Sequence, residues 1–574
     1  MPSKRWKVAP PAPDDYIAGL SPHHRILAQV LYNRGFADPD AARKFIDGAD
    51  ELASPLTMKD MGKATGRIKK AIWAKEPIVV YGDFDVDGVT ATALLTLSLR
   101  RLGANVTPYI PNRMDEGYGL NSDALRKLAG DGAKLVITVD CGIRSVKEAA
   151  DAKAAGLEMI ITDHHSIGAD GIKPFRRLAY AVINPKREDS SFPFRDLSGV
   201  GVTYALVRAL FHAFKLPPQE AEQYLDLVAL GTVADLVPLT GENRALVIRG
   251  LEALREAKRP GVRALMNVAG VEPRACDAFS IGFMLGPRLN AAGRLETATL
   301  ALDLLTTDDE ARAAALAGRL NEINRERQEK TAAMQAIAAE KAGIRDGEPP
   351  PSLIFAAAPE FHQGIVGLVA SRLTEQFYRP SVVVQLGEAE SHGSCRSIRE
   401  FHITHALDQC ADLLVRHGGH AAAAGFTVRN ENVEALRARL REIAEAQLGG
   451  QDLTPTLAID AWADLSELSL ALIEELARLE PTGMENPRPV LATRRVRVDD
   501  ARRVGRDENH LAFRVRDGKS LPLSAIAFRM GDRLDAITGR IVDIAYYPQI
   551  NEWNGLRSVQ LVVSDVQPTE ENLL

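Results

Sequence analysis

Between residues 77 and 185, short runs of apolar residues alternate with longer amphipathic stretches. The runs at 78–81, 106–110, 135–139, 157–161 and 179–183 are rich in Val and Ile and predict buried strands. Helical periodicity fills the gaps at 90–102, 122–129 and 146–155. Strands and helices repeating at this spacing predict a parallel sheet with crossover helices, whose functional crevice lies beyond the carboxyl ends of its strands. A second α/β alternation follows, with strands at 353–357, 381–385 and 426–428 and helices at 366–377, 405–414 and 433–446. From 490 to 566 short strand patterns separated by turns predict a small β-barrel.

The connecting segments are mostly helical. Residues 306–344, rich in Ala, Glu, Arg and Lys with almost no breaker, predict one long helix or a helical pair acting as a solvated spacer. Helical pieces at 24–33, 38–46 and 58–73 form a lead-in, and the first fifteen residues read as a flexible tail. The expected units are a tail and lead-in (1–60), a first α/β domain (61–305), the connecting helix (306–345), a second α/β domain (346–450), and a connector with the barrel (451–574).

Composition narrows the class. A chain of 574 residues, 46% apolar and 25% charged, has ample core for several globular domains. It contains no apolar run of membrane-spanning length and no apolar segment near its start that would direct export. Cys141, Cys276, Cys395 and Cys410 form no CxxC pair, so a cytoplasmic protein with reduced thiols is expected, without a disulfide framework or zinc knuckle. A net charge of −6 argues against an indiscriminate nucleic-acid coat.

The chemistry collects on one predicted rim. The first strand runs into YGDFDVDG, which carries Asp83, Asp85 and Asp87; the third ends at Asp140 in VITVDCGI; the fourth ends at Asp163, His164 and His165 in IITDHHS. An Asp-rich surface turn would look the same in isolation. Three strands delivering acids and imidazoles to one edge instead predict a metal centre, because clustered carboxylates in a dry site repel unless a cation joins them. Mixed oxygen and imidazole ligands suit manganese, and also magnesium, cobalt or zinc; the surplus of ligands suits two ions bridged by a carboxylate such as Asp140. Hydrolysis at phosphorus is the reaction such a pair would support.

Further along, Asp235 interrupts the apolar LGTVADLVPL and either finds a local cap partner or reaches the metals. Arg288, Asn290 and Arg294 sit among small residues in GPRLNAAGRLE, where a phosphate could approach or a helix could simply be capped. The second α/β unit contains three predicted small-residue loops: FHQGIVGLVASRL, HGSCRSIREF and RHGGHAAAAGF. Their candidate substrate contacts are Ser394, Arg396, Ser397, Arg399, Gly418, Gly419 and His420, with Gly364 and Gly367 opening a helix toward an anion.

Taken in order, YGDFDVDG, PNRMDEGYG, VITVDCGI, TDHH, LGTVADLVPL and GPRLNAAGR resemble the DHH phosphoesterase superfamily, and within it bacterial single-strand exonucleases, over nearly the whole chain after about residue 20. The resemblance implies a parallel-sheet DHH domain, a long connecting helix, a DHHA1 domain with SxR and GGH elements, and an oligonucleotide-binding (OB) barrel. It implies that Asp85, Asp87, Asp140, His164 and Asp235 bind two Mn2+ or Mg2+ ions, with Asp83 and His165 at the same site as ligands or phosphate contacts. The implied partner is single-stranded DNA, with a single-strand-binding protein and a helicase as possible companions. The SxR pattern occurs twice, at Ser394–Arg396 and Ser397–Arg399, so either arginine could be the family's.

Residues 488–560 hold 14 Lys and Arg against 9 Asp and Glu, with Phe513, Phe528, Tyr546, Tyr547 and Trp553 interleaved. Cations beside stacking aromatics predict a single-strand groove, with Arg502, Arg503, Tyr546 and Trp553 as leading candidates and some of the aromatics filling the barrel core. Two other readings compete with a nuclease for long strands. One is an oligoribonucleotide or cyclic-dinucleotide phosphodiesterase, which would not need the barrel; the other is a non-catalytic scaffold, which would not need the intact acids.

Overall fold

The computed structural model describes residues 4–48, 51–113, 115–117, 119–345 and 347–569. Its organising layer is a five-stranded parallel sheet in the order Asn105–Tyr109, Pro77–Tyr81, Leu135–Thr138, Glu158–Thr162, Ala181–Ile183. All five strands fall within a residue or two of the apolar runs; the inner strands, covered on both faces, are apolar at nearly every position, whereas the edge strand Asn105–Tyr109 stays partly exposed. One face packs Ile78, Val80 and Ile137 against helices Val86–Arg101, Gly199–Ala213 and Leu225–Ala234; the other packs Val79, Tyr81, Val136 and Ile161 against Ser122–Gly130 and Val146–Ala154.

The helix after the first strand begins at Val86, one turn earlier than its apolar periodicity indicates, because Asp85 caps it by accepting from the Gly88 N–H at 3.0 Å. Asp87 therefore lies inside the first helical turn.

The connecting helix, Glu310–Lys341, is a single 32-residue element but no solvated spacer. Ala313, Ala317, Leu320 and Ile323 are buried, the first three in the core of the first unit, while Met334 and Ala338 are buried in the core of the second. Small residues every turn hid this face among charges, and they let the helix seat closely on both bodies.

The second unit is a mixed sheet in the order Leu414–Gly419, Ala423–Arg429, Glu390–Arg396, Ser381–Gln385, Ile354–Ala358, parallel only across its last pair. Two of the three predicted loops are thus largely strands, and the helix expected at 405–414 shortens to Ile403–Asp408 before the chain extends. The small residues serve close packing: a Cβ on Gly393 would stand 2.1 Å from the Phe426 ring.

The third unit is a closed barrel of strands Leu491–Val504, His510–Arg516, Leu523–Ala527, Leu556–Pro568 and Ile541–Trp553, the last pairing back to the first. The N-terminal segment belongs to this unit, contrary to its reading as a tail. Strand Arg5–Val8 pairs in parallel with Thr456–Ile459, and Trp6 Nε1 donates to Asp565 Oδ2 at 2.8 Å. Helices Asp14–Gly19, Arg25–Asn33 and Pro39–Asp47 bury Tyr16, Leu20, Leu27, Leu31 and Phe45 in one core with Leu491, Val496, Phe513 and Ile544. A four-residue strand among prolines and charges is too short for its alternation to register.

Candidate metal centre and substrate cleft

The rim of the parallel sheet gathers its acids as the topology requires. Asp83 and Asp85 follow the first strand, Asp140 the third, and Asp163, His164 and His165 the fourth. Asp235 arrives from the C-cap of helix Leu225–Ala234. His164 Nε2 lies 3.1 Å from Asp140 Oδ1, 3.6 Å from Asp235 Oδ2 and 3.9 Å from Asp87 Oδ2. Three groups have ligand atoms within 4.8 Å of one another and could each hold an ion: Asp83, Asp85 and Asp140; Asp87, His164 and Asp235; Asp140, His164 and His165. Asp140 is common to two of them, and His164 to two.

Glycines make this crowding possible. A Cβ on Gly199 would stand 2.5 Å from Asp140 Oδ1, and one on Gly231 would stand 2.9 Å from Asp87 Oδ1. Asp140 itself has φ of +60°, a region that Asp and Asn tolerate better than other non-glycine residues. Asp87 accepts from the Gly199 and Val200 N–H groups at 2.6 and 2.8 Å, so the start of helix Gly199–Ala213 fixes its carboxylate.

Other donor atoms are left without partners. Asp83 Oδ1, Asp140 Oδ1, Asp235 Oδ2 and both ring nitrogens of His164 are buried and make no hydrogen bond. Such groups are costly to bury, and cations would satisfy the carboxylate oxygens together with His164 Nε2, the ring nitrogen that faces them. Burial, reinforced by neighbouring carboxylates, raises the Asp87 acid to about 7 and the Asp235 acid to about 9; it drives the His164 imidazole down to about 3, leaving a neutral ligand. The donor set fits hard or borderline divalent ions.

Asp163 behaves differently. Its Oδ1 accepts from the His164 and His165 N–H groups and lies 2.8 Å from His165 Nδ1, while Oδ2 accepts from the Ile143 N–H. Although burial opposes it, these hydrogen bonds hold the carboxyl below its ordinary range, and Asp163 in turn raises the His165 imidazole despite its burial. Asp163 thus orients His165.

Against the metal acids lies a cluster of guanidiniums. Burial, then the like charges of Arg113 and Arg327, push Arg294 down to about 9; Arg396 adds to this and Asp85 opposes it. Arg113 feels Asp83 and Asp85, and Arg396 feels Arg113. Arg294 Nη1 donates to the Gly364 carbonyl at 3.2 Å, so this cluster joins the two α/β units. Concentrated positive charge beside the metal acids is a place for phosphate.

The other predicted contacts divide. Ser394 and Arg396 face the opening of helix Val366–Phe377, where a Cβ on Gly367 would crowd both. Arg399 is exposed beside Tyr378, and Ser397 Oγ donates to the Phe401 carbonyl, so the first SxR pair faces the cleft. Gly418, Gly419 and His420 end the hairpin whose return strand pairs Ala423 with Arg396. Arg288 donates to Met284 O and to Asn321 on the long helix, tying helices together. Asn290 accepts from the Val86 N–H and so positions the acid loop. In the barrel Tyr546 is fully buried and bonded to Thr493, which removes it from any groove surface, whereas Trp553 is 73% exposed at a hairpin tip. Arg502 and Arg503 are both exposed, and Arg503 Nε donates to the Gly531 carbonyl.

The sequence reasoning missed Arg113, Arg327 and the orienting part of Asp163. Arg113 follows the second strand and obeys the same rim rule; its motif PNRMDEGYG includes Met114 and Tyr118, which lie outside the described residues. Arg327 is indistinguishable from the surface arginines of its helix.

Residues 77–232 match the DHH family, N-terminal domain, residues 351–446 the DHHA1 domain, and residues 459–565 the RecJ OB domain. The chain is 38% identical to the single-stranded-DNA-specific exonuclease RecJ of Bacillus subtilis (strain 168), over 99% of this chain and 71% of that protein. It is 36% identical to the RecJ of Escherichia coli (strain K12), over 95% of this chain and 96% of that one. The crystal structure of RecJ in complex with Mn2+ from Thermus thermophilus superposes with a TM-score of 0.84 at 32% identity, over 99% of this chain and 80% of that one. With three domain matches in order and 36–38% identity to RecJ proteins over nearly the whole chain, the chain belongs to the RecJ family.

Proposed function

We propose that this chain is a single-stranded-DNA-specific exonuclease that works from the 5′ end, releasing 5′-mononucleotides in DNA repair and recombination. The observation that carries the reading is the set of buried, partnerless donors on Asp83, Asp140, His164 and Asp235, which fits divalent cations and little else. RecJ from Thermus thermophilus has been crystallised with Mn2+ and with Mg2+, and either ion suits these ligands. Asp83, Asp85, Asp87, Asp140, His164 and Asp235 would hold two such ions. When bound, the ions supply an activated water and neutralise the oxygens of the displacement at phosphorus.

The protein's own groups complete the site. His165, held at Nδ1 by Asp163, offers its other ring nitrogen to a phosphate oxygen. Arg113, Arg294, Arg327 and Arg396 would hold a terminal phosphate one nucleotide beyond the scissile bond, which favours a strand entering by its phosphorylated 5′ end. Ser394 and His420 would contact the same backbone, with the barrel surface around Arg502 and Trp553 gripping the strand upstream. In this reading 61–305 is the catalytic domain, 346–450 the substrate domain and 451–574 the strand-binding domain, to which the N-terminal helices are joined. No helix among the described residues is long and apolar enough to cross a membrane, and we place the activity in the cytoplasm, with a single-strand-binding protein and a helicase as companions.

Digestion of 5′-labelled and 3′-labelled strands with manganese tests the reading. The 5′ label is expected to appear first as a mononucleotide while the 3′ label stays in long fragments. Early mononucleotide from the 3′ label would overturn the polarity, and no release from either would overturn the nuclease.

A further inference from the structure

A column of flat groups crosses from the metal rim to the barrel. The rings of Phe279 and Phe283 stack with centroids 4.6 Å apart and planes 24° apart. The Arg488 guanidinium lies 5.6 Å from the Phe279 ring and 5.3 Å from the ring of Tyr547 on the barrel. The sequence of faces is therefore Phe283, Phe279, Arg488, Tyr547. Two large aromatics stacked in water are unusual: Phe279 is 49% and Phe283 71% exposed.

The column is anchored beside the metal acids. Phe279 and Phe283 flank and lie within the turn Ser280–Leu285, which has π-helical geometry, a local distortion found disproportionately at functional sites. Ideal Cβ atoms on Gly282 and Gly286 would meet Val233 and Ala234 at 4.0 and 3.5 Å, so this turn packs on the last residues before Asp235. Leu236, immediately after that acid, is 66% exposed with φ of +61°. The flat faces thus start on a turn packed against the residues that precede Asp235 and end on the barrel.

The chemistry of the column favours a base over a phosphate. Arg488 is already flanked by Asp277 at 3.6 Å and Glu480 at 3.8 Å, which offset its charge. Phe279 and Phe283 carry no charge at all. A planar, uncharged partner with two π-faces is what the open end at Phe283 lacks.

We propose that Phe283 and Phe279 form a stacking platform for one unpaired nucleobase of the substrate strand, between the metal centre and the barrel, with Arg488 and Tyr547 extending the stack. This rests on the single-strand exonuclease reading and adds a subsite to it. The two phenyl rings themselves carry no hydrogen-bonding groups, so stacking on them does not distinguish the four bases.

The test uses the full chain with manganese and a strand whose terminal linkages are phosphorothioates, carrying 2-aminopurine at successive positions from the 5′ end. Stacking is expected to quench 2-aminopurine in a window of one or two positions a few nucleotides from the end. F283A is expected to abolish that quench and weaken binding about tenfold, F283W to restore both, and F283L, apolar but without a π-face, to restore neither. Thermal unfolding of each variant checks that this exposed position has not altered the fold. An unchanged quench and affinity in F283A, or full rescue by F283L, would overturn the platform. If the wild type digests unmodified single strands yet shows no quench at any position, the platform fails and the nuclease stands; if it digests none, the nuclease reading fails first.

Discussion

The two α/β units bring functional side chains to the same cleft by different routes. In the first, every strand is parallel, so each delivers its polar residues at its carboxyl end and all ends share one rim. In the second, the sheet is antiparallel on one side, and Ser394 and Arg396 come from the length and final residue of a strand, held by the hairpin that ends in Gly418, Gly419 and His420. A parallel sheet sorts structure from chemistry along the chain, core residues inside strands and reactive ones after them. An antiparallel hairpin interleaves the two, so small and polar functional strands look like loops.

The strongest way to break this contrast is at the parallel rim. Asp140→Asn keeps a residue that tolerates the positive φ but removes the acid shared by two ligand groups, and should lower mononucleotide release by about 10³-fold or more. Loss of buried like-charge repulsion should at the same time raise the melting temperature of the metal-free protein. Activity that survives Asp140→Asn would mean the rim is not the reaction centre.

The antiparallel side is sharpened by its duplicated motif. Arg396→Ala should cost about 10²-fold in kcat/KM on 5′-phosphorylated strands, whereas Arg399→Ala should stay within about twofold, since Arg399 stands outside the cleft. The reverse order would return the function to the exposed turn after the strand.

A smaller effect follows from protonation. Asp235 titrates at about 9 and Asp87 at about 7 in the fold, both above the unfolded value, so the folded state holds their protons more tightly. Their contribution to stability is complete only at low pH and is lost as pH rises through those values; the raised His165 acts with the same sign. His164, lowered to about 3, opposes folding only below its unfolded value near 6.5. Between pH 7 and 9 the terms agree, and the melting temperature of chelated protein should fall by several degrees. Manganese should reverse the fall and release protons on binding, which calorimetry in buffers of different ionisation enthalpy would detect. A flat profile would mean the acids are not buried together.

How much could be read in advance follows the same division. The five parallel strands and the acids behind them were legible because period and position both carried the message: Val and Ile runs stopping at Gly82, Asp140 and Asp163. Arg396 could not be separated from Arg399, since spacing alone does not say which of two arginines a strand turns inward. Tyr546 shared its Tyr-Tyr pair with Tyr547, and only the barrel's alternation of inside and outside sends one to the core and the other to the surface. The N-terminal helices had clear periodicity but no sign of their partner, because nothing local records a contact with residues more than 400 positions away.

That distant pairing shapes how the molecule is made. Helices carrying Tyr16, Leu27, Leu31 and Phe45 leave the ribosome more than 400 residues before the barrel strands that cover them. At roughly 5–20 residues per second, the wait is on the order of 20–100 s. Throughout that interval a sticky apolar surface is without its cover, so the nascent chain is a natural client for a holdase, and a bulky group placed just ahead of Arg5 would sit against the seam that closes only once the barrel strands have emerged.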